Sequence, residues 1–270
     1  MRWLYALMVC GLFPSFASGL EKQPWFSDVY EFHLLTSYTY SDYHKINRET
    51  IPNTGSKDHD FDFSIETSPA PQWSVDGEVS FVDTSRQSFS FRSLALQGRY
   101  LWLDDVIGDP LSLATGVSAR FTSRRSLRDV SCPYHGSGEF LLHVAFGKEF
   151  DPNRYFRYRF WGYGSLGFAT SGSPWFSGTA SFEGKYFDEH TGALFLEGGH
   201  GYGKRTQVDP NDFFGYGRIR YKFLDVGARY GYKIGVMGTF RFEYVRRLLA
   251  GAYPEGVNFF TVAYLLPFSF

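Results

Sequence analysis

Residues 257–270 read VNFFTVAYLLPFSF and constrain the chain more than any other stretch. Counted back from the end, every second residue is large and apolar: Phe270, Phe268, Leu266, Tyr264, Val262 and Phe260. The intervening Ser269, Pro267, Leu265, Ala263, Thr261 and Phe259 are smaller or mixed. Period two is the mark of a strand with two unlike faces. An unpaired apolar strand at a chain end is an aggregation hazard in water. In lipid the hazard disappears if the strand closes a barrel, because closure pairs the backbone and the greasy row meets acyl chains. The pattern also fits a buried terminal strand of a soluble two-sheet sandwich.

The rest of the chain decides for the barrel. Phe32, Leu34, Tyr38 and Tyr40 alternate with Glu31, His33, Ser37 and Thr39. In DFDFSIE, Phe61, Phe63 and Ile65 alternate with Asp60, Asp62, Ser64 and Glu66, and after a Pro-rich turn Val75, Val79 and Phe81 alternate with Asp76, Glu78 and Ser80. Further segments of this kind follow at 89–102, 111–121, 140–146, 156–160, 175–186, 193–202, 213–223, 226–234 and 239–248. Alternating stretches of about ten residues between turns are what a tilted membrane strand requires. Tyr38, Tyr40, Trp73, Tyr100, Trp102 and Trp175 fall near strand ends, where an interfacial girdle would place them. This count gives thirteen strands, whereas a single-chain bacterial barrel has an even number. The expectation is therefore an all-β, antiparallel up-and-down transmembrane barrel of twelve strands, with fourteen as the alternative and 193–248 as the ambiguous region.

Composition agrees. Aromatics are 20% and charged residues 20%, and 29 glycines are scattered through strand-like text. Past residue 20 no apolar run approaches the roughly 18 residues of a membrane helix. A net charge of −1 gives no basic footprint for nucleic acid. Residues 1–19 have the form of a secretory signal peptide: Arg2, an apolar run from Trp3, then small Ala17, Ser18 and Gly19. The domain expectation is a leader over 1–19 and one barrel over 20–270. Cys10 permits a lipoprotein reading, but bulky Met8 and Val9 precede it. Without Cys10, Cys132 is a lone thiol, expected in an exposed loop, and a disulfide framework is excluded.

If the apolar rows face lipid, the polar rows line the lumen. The early strands contribute Glu31, Asp60, Asp62, Glu66, Asp76 and Glu78. Later strands contribute Arg99, Arg120, Arg157, Arg159, Arg218, Arg220, Arg229, Lys233 and Arg241. So many charges are tolerable inside only if hydrated or paired. An acidic wall facing or flanking a basic one sets a transverse field across a water-filled passage and favours polar solutes. The same charges could instead cross-link and plug the interior. Either way the expected contacts are outer-membrane lipid outside and small polar solutes inside.

The terminal alternation resembles the C-terminal signature of bacterial outer-membrane barrels. That resemblance implies that Val262, Tyr264, Leu266, Phe268 and Phe270 are read by the barrel-assembly machinery of a Gram-negative (diderm) cell. FHLLTSYTYSDY, PLSLATGVSARFTS and GSGEFLLHVAFGKEF are similar to text of the porin-like outer-membrane transporter family of the MetA pathway of phenol degradation. That likeness implies about twelve strands and passive movement of small molecules. A plugged structural or adhesive barrel, binding through loops 41–58 and 123–138, is the alternative. Catalytic chemistry is weakly signalled. His135 and Ser137 in HGSG are spaced as in outer-membrane phospholipases, but Gly138 stands where that family has Asn. The seven histidines are dispersed without metal-ligand spacing, and GGHGYG at 198–203 lacks the Lys-Ser/Thr pair of a phosphate loop. No enzyme, metal or cofactor is expected.

Overall fold

The computed structural model describes residues 20–52, 54–153 and 155–269. The expected leader over 1–19 and Phe270 lie outside the described residues. The strands are β1 (Glu31–Tyr43), the short β2 (Lys45–Ile46), β3 (Ser56–Ala70), β4 (Trp73–Asp83), β5 (Ser90–Leu103), β6 (Ser112–Thr122) and β7 (Gly138–Asn153). They continue as β8 (Phe156–Ala169), β9 (Trp175–Tyr186), β10 (His190–Gly201), β11 (Lys222–Lys233), β12 (Thr239–Gly251), the short β13 (Pro254–Glu255) and β14 (Asn258–Ser269). Twelve of them form one closed antiparallel barrel, sealed where β1 pairs with β14, while β2 and β13 make a small two-stranded ladder beside it.

Period-two alternation fixes the register, because a slip of one residue would turn every apolar side chain into the lumen. On β14 the row Val262, Tyr264, Leu266 and Phe268 stands opposite Tyr38, Thr36, Leu34 and Phe32 of β1. Phe32 and Phe268 stack at 5.4 Å. Exposed Phe63, Leu96, Val117, Phe140, Phe160, Leu194 and Phe242 continue this belt around the outside. No helix of the described residues is long and apolar enough to cross a membrane, and the crossing is made by strands. The closed apolar exterior makes this an outer-membrane barrel.

Connections are short at the rim where Glu31 meets Ser269 and long at the opposite rim, over 44–55, 123–137 and 202–221. Short turns face the periplasm and long loops face outward in such barrels. The expected strand over 213–223 does not exist: Lys222 and Phe223 open β11, and residues 213–221 form a loop that packs over the outer mouth, with a 3-10 turn at Tyr216–Arg218. Removing it turns thirteen into twelve. Its apolar residues Phe213, Tyr216, Ile219 and Tyr221 recur because they are buried in a core shared with Tyr43, Val130 and Tyr253 of neighbouring loops.

Candidate functional site

The inner wall neutralises itself strand by strand. Arg92 on β5 binds Asp60 on β3 at 2.6 Å. Arg99 reaches Glu66 at 2.8 Å and Asp76 at 3.5 Å. Arg120 on β6 meets Glu78 on β4 at 3.0 Å. Further round, Glu149 takes both Arg157 and Arg159, and Arg229 meets Glu243 at 2.6 Å. In this quarter the acidic strands β3 and β4 therefore flank the basic strands β5 and β6. The expected transverse field is short-circuited over the β3–β6 quarter, because the long arginine side chains reach across one or two strand spacings of about 4.8 Å and pairing removes the cost of isolated buried charge.

A segment outside the wall occupies the space between. Residues 20–28 run into the lumen as a strap. Its backbone is held by the wall: Gln97 donates to the Glu21 carbonyl at 2.8 Å and Arg99 to the Gln23 carbonyl at 2.7 Å. Its side chains reply, Lys22 to Glu197 at 3.0 Å and Gln23 to Glu183 at 3.0 Å. The Trp25 indole N–H donates to Asp105 at 2.8 Å, and Arg159 lies 4.5 Å over the ring. Gly147 makes room for that ring, since a Cβ there would stand 2.7 Å from it. Burial raises the Glu21 carboxyl, but Arg241, Arg99 and Arg229 outweigh it and hold it below its usual value. At Asp105 burial is likewise outweighed, by hydrogen bonds from Ser112, the Glu149 N–H and Trp25, and the carboxyl is lowered.

The outer mouth is covered by an aromatic cap. Tyr43, Ile46, Val130, Trp175, Val208, Phe213, Tyr216, Tyr221, Phe223 and Tyr253 share one buried cluster. Burial pushes the Tyr216, Tyr221 and Tyr253 phenols well above their usual range. Arg247 sits within the cap, bound twice to Asp225 at 2.8 Å and stacked 4.6 Å from Phe223 and 4.8 Å from Tyr253. Between strap and cap lies a cavity of about 100 Å³ touching Lys22, Glu78, Arg120, Tyr134 and Tyr221. On the periplasmic side a vestibule of about 570 Å³ is lined by Glu31, Glu66, Arg159, Lys185, Arg229 and Arg241, among others.

Of the expected lumen residues, Glu31, Asp60, Asp62, Glu66, Asp76, Glu78, Arg99, Arg120, Arg157, Arg159, Arg229 and Arg241 face inward, and Lys233 lies at the vestibule rim. Arg218 and Arg220 do not: both are exposed on the outer loop that replaces the expected strand. Cys132, expected in an exposed loop, is 2% exposed, and burial pushes its thiol well up. The HGSG residues do not assemble a nucleophile. The His135 ring faces Tyr221 at 2.7 Å and Glu139 at 3.3 Å, and Ser137 meets Thr170 at 3.3 Å. His135 instead stacks on Trp175 at 3.6 Å, tying one loop to the cap. Among the described residues no group of His, Cys, Asp and Glu is arranged to hold a metal ion.

Strict alternation missed several participants. Arg92 has the parity of Leu94 and Leu96, so it reads as lipid-facing, but the ladder shifts between Ser80 and Phe81 and turns it inward. Arg247 keeps the inward parity of Arg241 and Glu243 up to Asp225, and the ladder shifts only after it, but the adjoining Arg246 hides it in the sequence. The strap's only signal is polar residues with Pro24 and Trp25 ahead of the first strand.

No family model matches the sequence, and no curated protein matches it. Solved structures do match in fold. An outer-membrane channel from Pseudomonas putida F1 superposes with a TM-score of 0.61 at 11% identity, covering 94% of this chain and 100% of that one. The NanC porin gives 0.54 at 9% identity, covering 86% and 98%, and the KdgM porin 0.52 at 9%, covering 87% and 99%. At such identities the likeness is one of fold, that of an outer-membrane β-barrel.

Proposed function

We propose that this barrel is an outer-membrane channel for diffusion of small polar solutes, with the strap 20–28 as the element that sets its opening. One observation carries the reading. The inner face is polar along its length, and what blocks it on the periplasmic side is a short segment tied by replaceable polar contacts and one packed ring, Trp25, not a wall strand. Each of those bonds has a water equivalent of similar enthalpy. Both ring nitrogens of inward His143 are buried without a hydrogen-bond partner from protein groups, which suits a hydrated interior better than a dry one. The fold shared with channels and porins supports the same reading. Membership of the MetA-pathway transporter family is the finer form of this proposal, resting on the strand and turn text and the twelve-strand count.

The remaining partners belong to the same proposal: lipid on the apolar belt, and the assembly machinery on the β14 row. The second reading, a structural or adhesive barrel, is favoured by the cap. Residues from loops 41–58 and 123–138, among them Tyr43, Ile46 and Val130, are built into its core, so these loops are load-carrying parts of the mouth and not free arms.

Planar-bilayer conductance of the refolded chain decides between them. The Ser27 and Ser68 hydroxyls lie 3.0 Å apart, which suits a disulfide in Ser27→Cys/Ser68→Cys. The channel reading expects discrete openings that fall when this tether is oxidised and return on reduction. Absence of conductance in the reduced tether variant and the wild type alike would favour the structural barrel.

A further inference from the structure

A surface away from the lumen has the chemistry of an anion site. The β4–β5 connection carries Arg86, and the β6–β7 connection opens with the four-residue α1 (Arg124–Leu127), followed by Arg128. Arg86, Arg125 and Arg128 line one groove of about 430 Å³ together with Gln87, Ser88 and Asp129. The groove is built, not a chance meeting of long side chains. Arg86 is fixed by donating to the Thr54 carbonyl at 2.8 Å and to the Tyr43 hydroxyl at 3.4 Å. α1 is capped by the Ser123 hydroxyl, which accepts from the Ser126 N–H at 3.1 Å.

The one carboxylate in the groove is already committed. Asp129 accepts from the Thr84 hydroxyl at 2.6 Å through one oxygen and from the Ser131 N–H at 3.0 Å through the other. Arg124, Arg125 and Arg128 are exposed, and among the described residues no ion pair is formed by any of them. Like charges brought together this way repel unless an anion joins them.

Depth identifies the anion's source. Phe89 and Phe121 are 59% and 62% exposed on the lipid face at the outer ends of β5 and β6. Phe89 stacks on Phe81 at 5.7 Å and Phe61 closes on it at 5.6 Å, forming a girdle of the kind found at the headgroup level. Arg86 is three residues from Phe89 and Arg125 four from Phe121, so the backbone of the groove stands within about 14 Å of that girdle even were the chain fully extended. The outward-facing Lys57 of β3 lies at the same rim, its N–H donating to Ser85. This is where the phosphates of an outer-leaflet lipid lie, and guanidinium forks suit phosphate oxygens.

We propose that the Arg86–Arg125–Arg128 groove binds the phosphate of a phosphorylated outer-leaflet glycolipid, fastening this quarter of the barrel to the surrounding leaflet. The site does not depend on the channel reading, because none of its residues lines the cavity or the vestibule of the lumen.

The test uses the full refolded chain in neutral detergent with bisphosphorylated lipid A as the probe, read by native mass spectrometry for retained lipid. Arg125→Gln/Arg128→Gln removes the two guanidinium groups that carry no structural bond, and so leaves the fold intact. The wild type should retain one lipid, and the double variant should bind about tenfold more weakly. Arg218→Gln/Arg220→Gln, which removes two exposed arginines from another loop, should change nothing. The proposal is overturned if the groove variant retains lipid as well as the wild type, or if dephosphorylated lipid A is retained equally. It is also overturned if inorganic phosphate displaces the lipid at equal concentration, since the site would then answer to free anions.

Discussion

Replacing Trp25 with alanine removes the strap's largest anchor while leaving every wall strand untouched. The indole N–H bond to Asp105 at 2.8 Å is worth about 1–1.5 kcal/mol net of water. The Arg159 guanidinium 4.5 Å over the ring adds about 0.5–1 kcal/mol. The ring's packing against the Ala145, Trp161 and Tyr163 cluster adds about 1 kcal/mol for a side chain only partly covered. The loss is then about 3 kcal/mol, a factor of roughly a hundred in the equilibrium between strap seated and strap released. Single-channel recording should show open probability rising by up to that factor, with unitary conductance unchanged because the wall is unchanged. Gly147→Val should act in the same direction, since its Cβ alone would stand 2.7 Å from the indole. Equal open probability in wild type and Trp25→Ala, with both barrels heat-modifiable on gels, refutes the assignment of the strap as the gate.

The strap should also respond to pH. The Glu21 carboxyl is held down by Arg241, Arg99 and Arg229, so its contribution is present above the ordinary carboxylate range and is lost as pH falls through the lowered value. Open probability should rise below about pH 4 in the wild type, and Glu21→Gln should flatten that rise; a variant as pH-sensitive as the wild type contradicts the argument. At the outer mouth, Arg247→Ala leaves Asp225 buried without its partner and should destabilise the barrel by about 3–5 kcal/mol. A shifted urea midpoint in lipid vesicles would show it. Phe268→Ala removes the ring stacked on Phe32 across the closing seam and weakens that contact by about 1 kcal/mol. If the β14 row is also the assembly signal, the yield of membrane-inserted barrel should fall further than Phe260→Ala makes it fall; equal yields argue against that role.

Alternation carried the fold because a barrel wall is a periodic object with one rule for each face. Val262, Tyr264, Leu266 and Phe268 were legible for that reason, as were Asp60, Asp62, Arg99 and Arg229. The rule fails where the ladder slips. Arg92 changes face at a register shift, and parity alone cannot see a bulge. It fails again where loops build a core together, since Tyr216, Ile219 and Tyr221 are buried by packing over the mouth with Tyr43 and Tyr253 and read as strand text without any strand. Pairing was hidden for a third reason. The sequence orders charges along the chain, but Arg99 and Asp76, or Arg120 and Glu78, become neighbours only when the strands are laid side by side.

The two closures of the lumen differ in what water can replace, and this makes opening directional. Releasing the strap uncovers one partly buried ring, Trp25, and otherwise exposes the Arg99 and Gln97 donors and the Glu183 and Glu197 carboxylates, all of which water can satisfy. The wall stays intact because Arg99 keeps Glu66, and Glu183 keeps the Trp161 indole at 3.0 Å. Opening the cap instead exposes Tyr216, Tyr253 and Val208 from a packed core, at about 1.5–3 kcal/mol for each large side chain. The periplasmic end is therefore the one that yields first. A cysteine at Ser181, on the inner face of β9, should be labelled by a small charged thiol reagent from the periplasmic side sooner than from outside. Faster labelling from the outer side would place the moving element in the cap and reverse the order of opening.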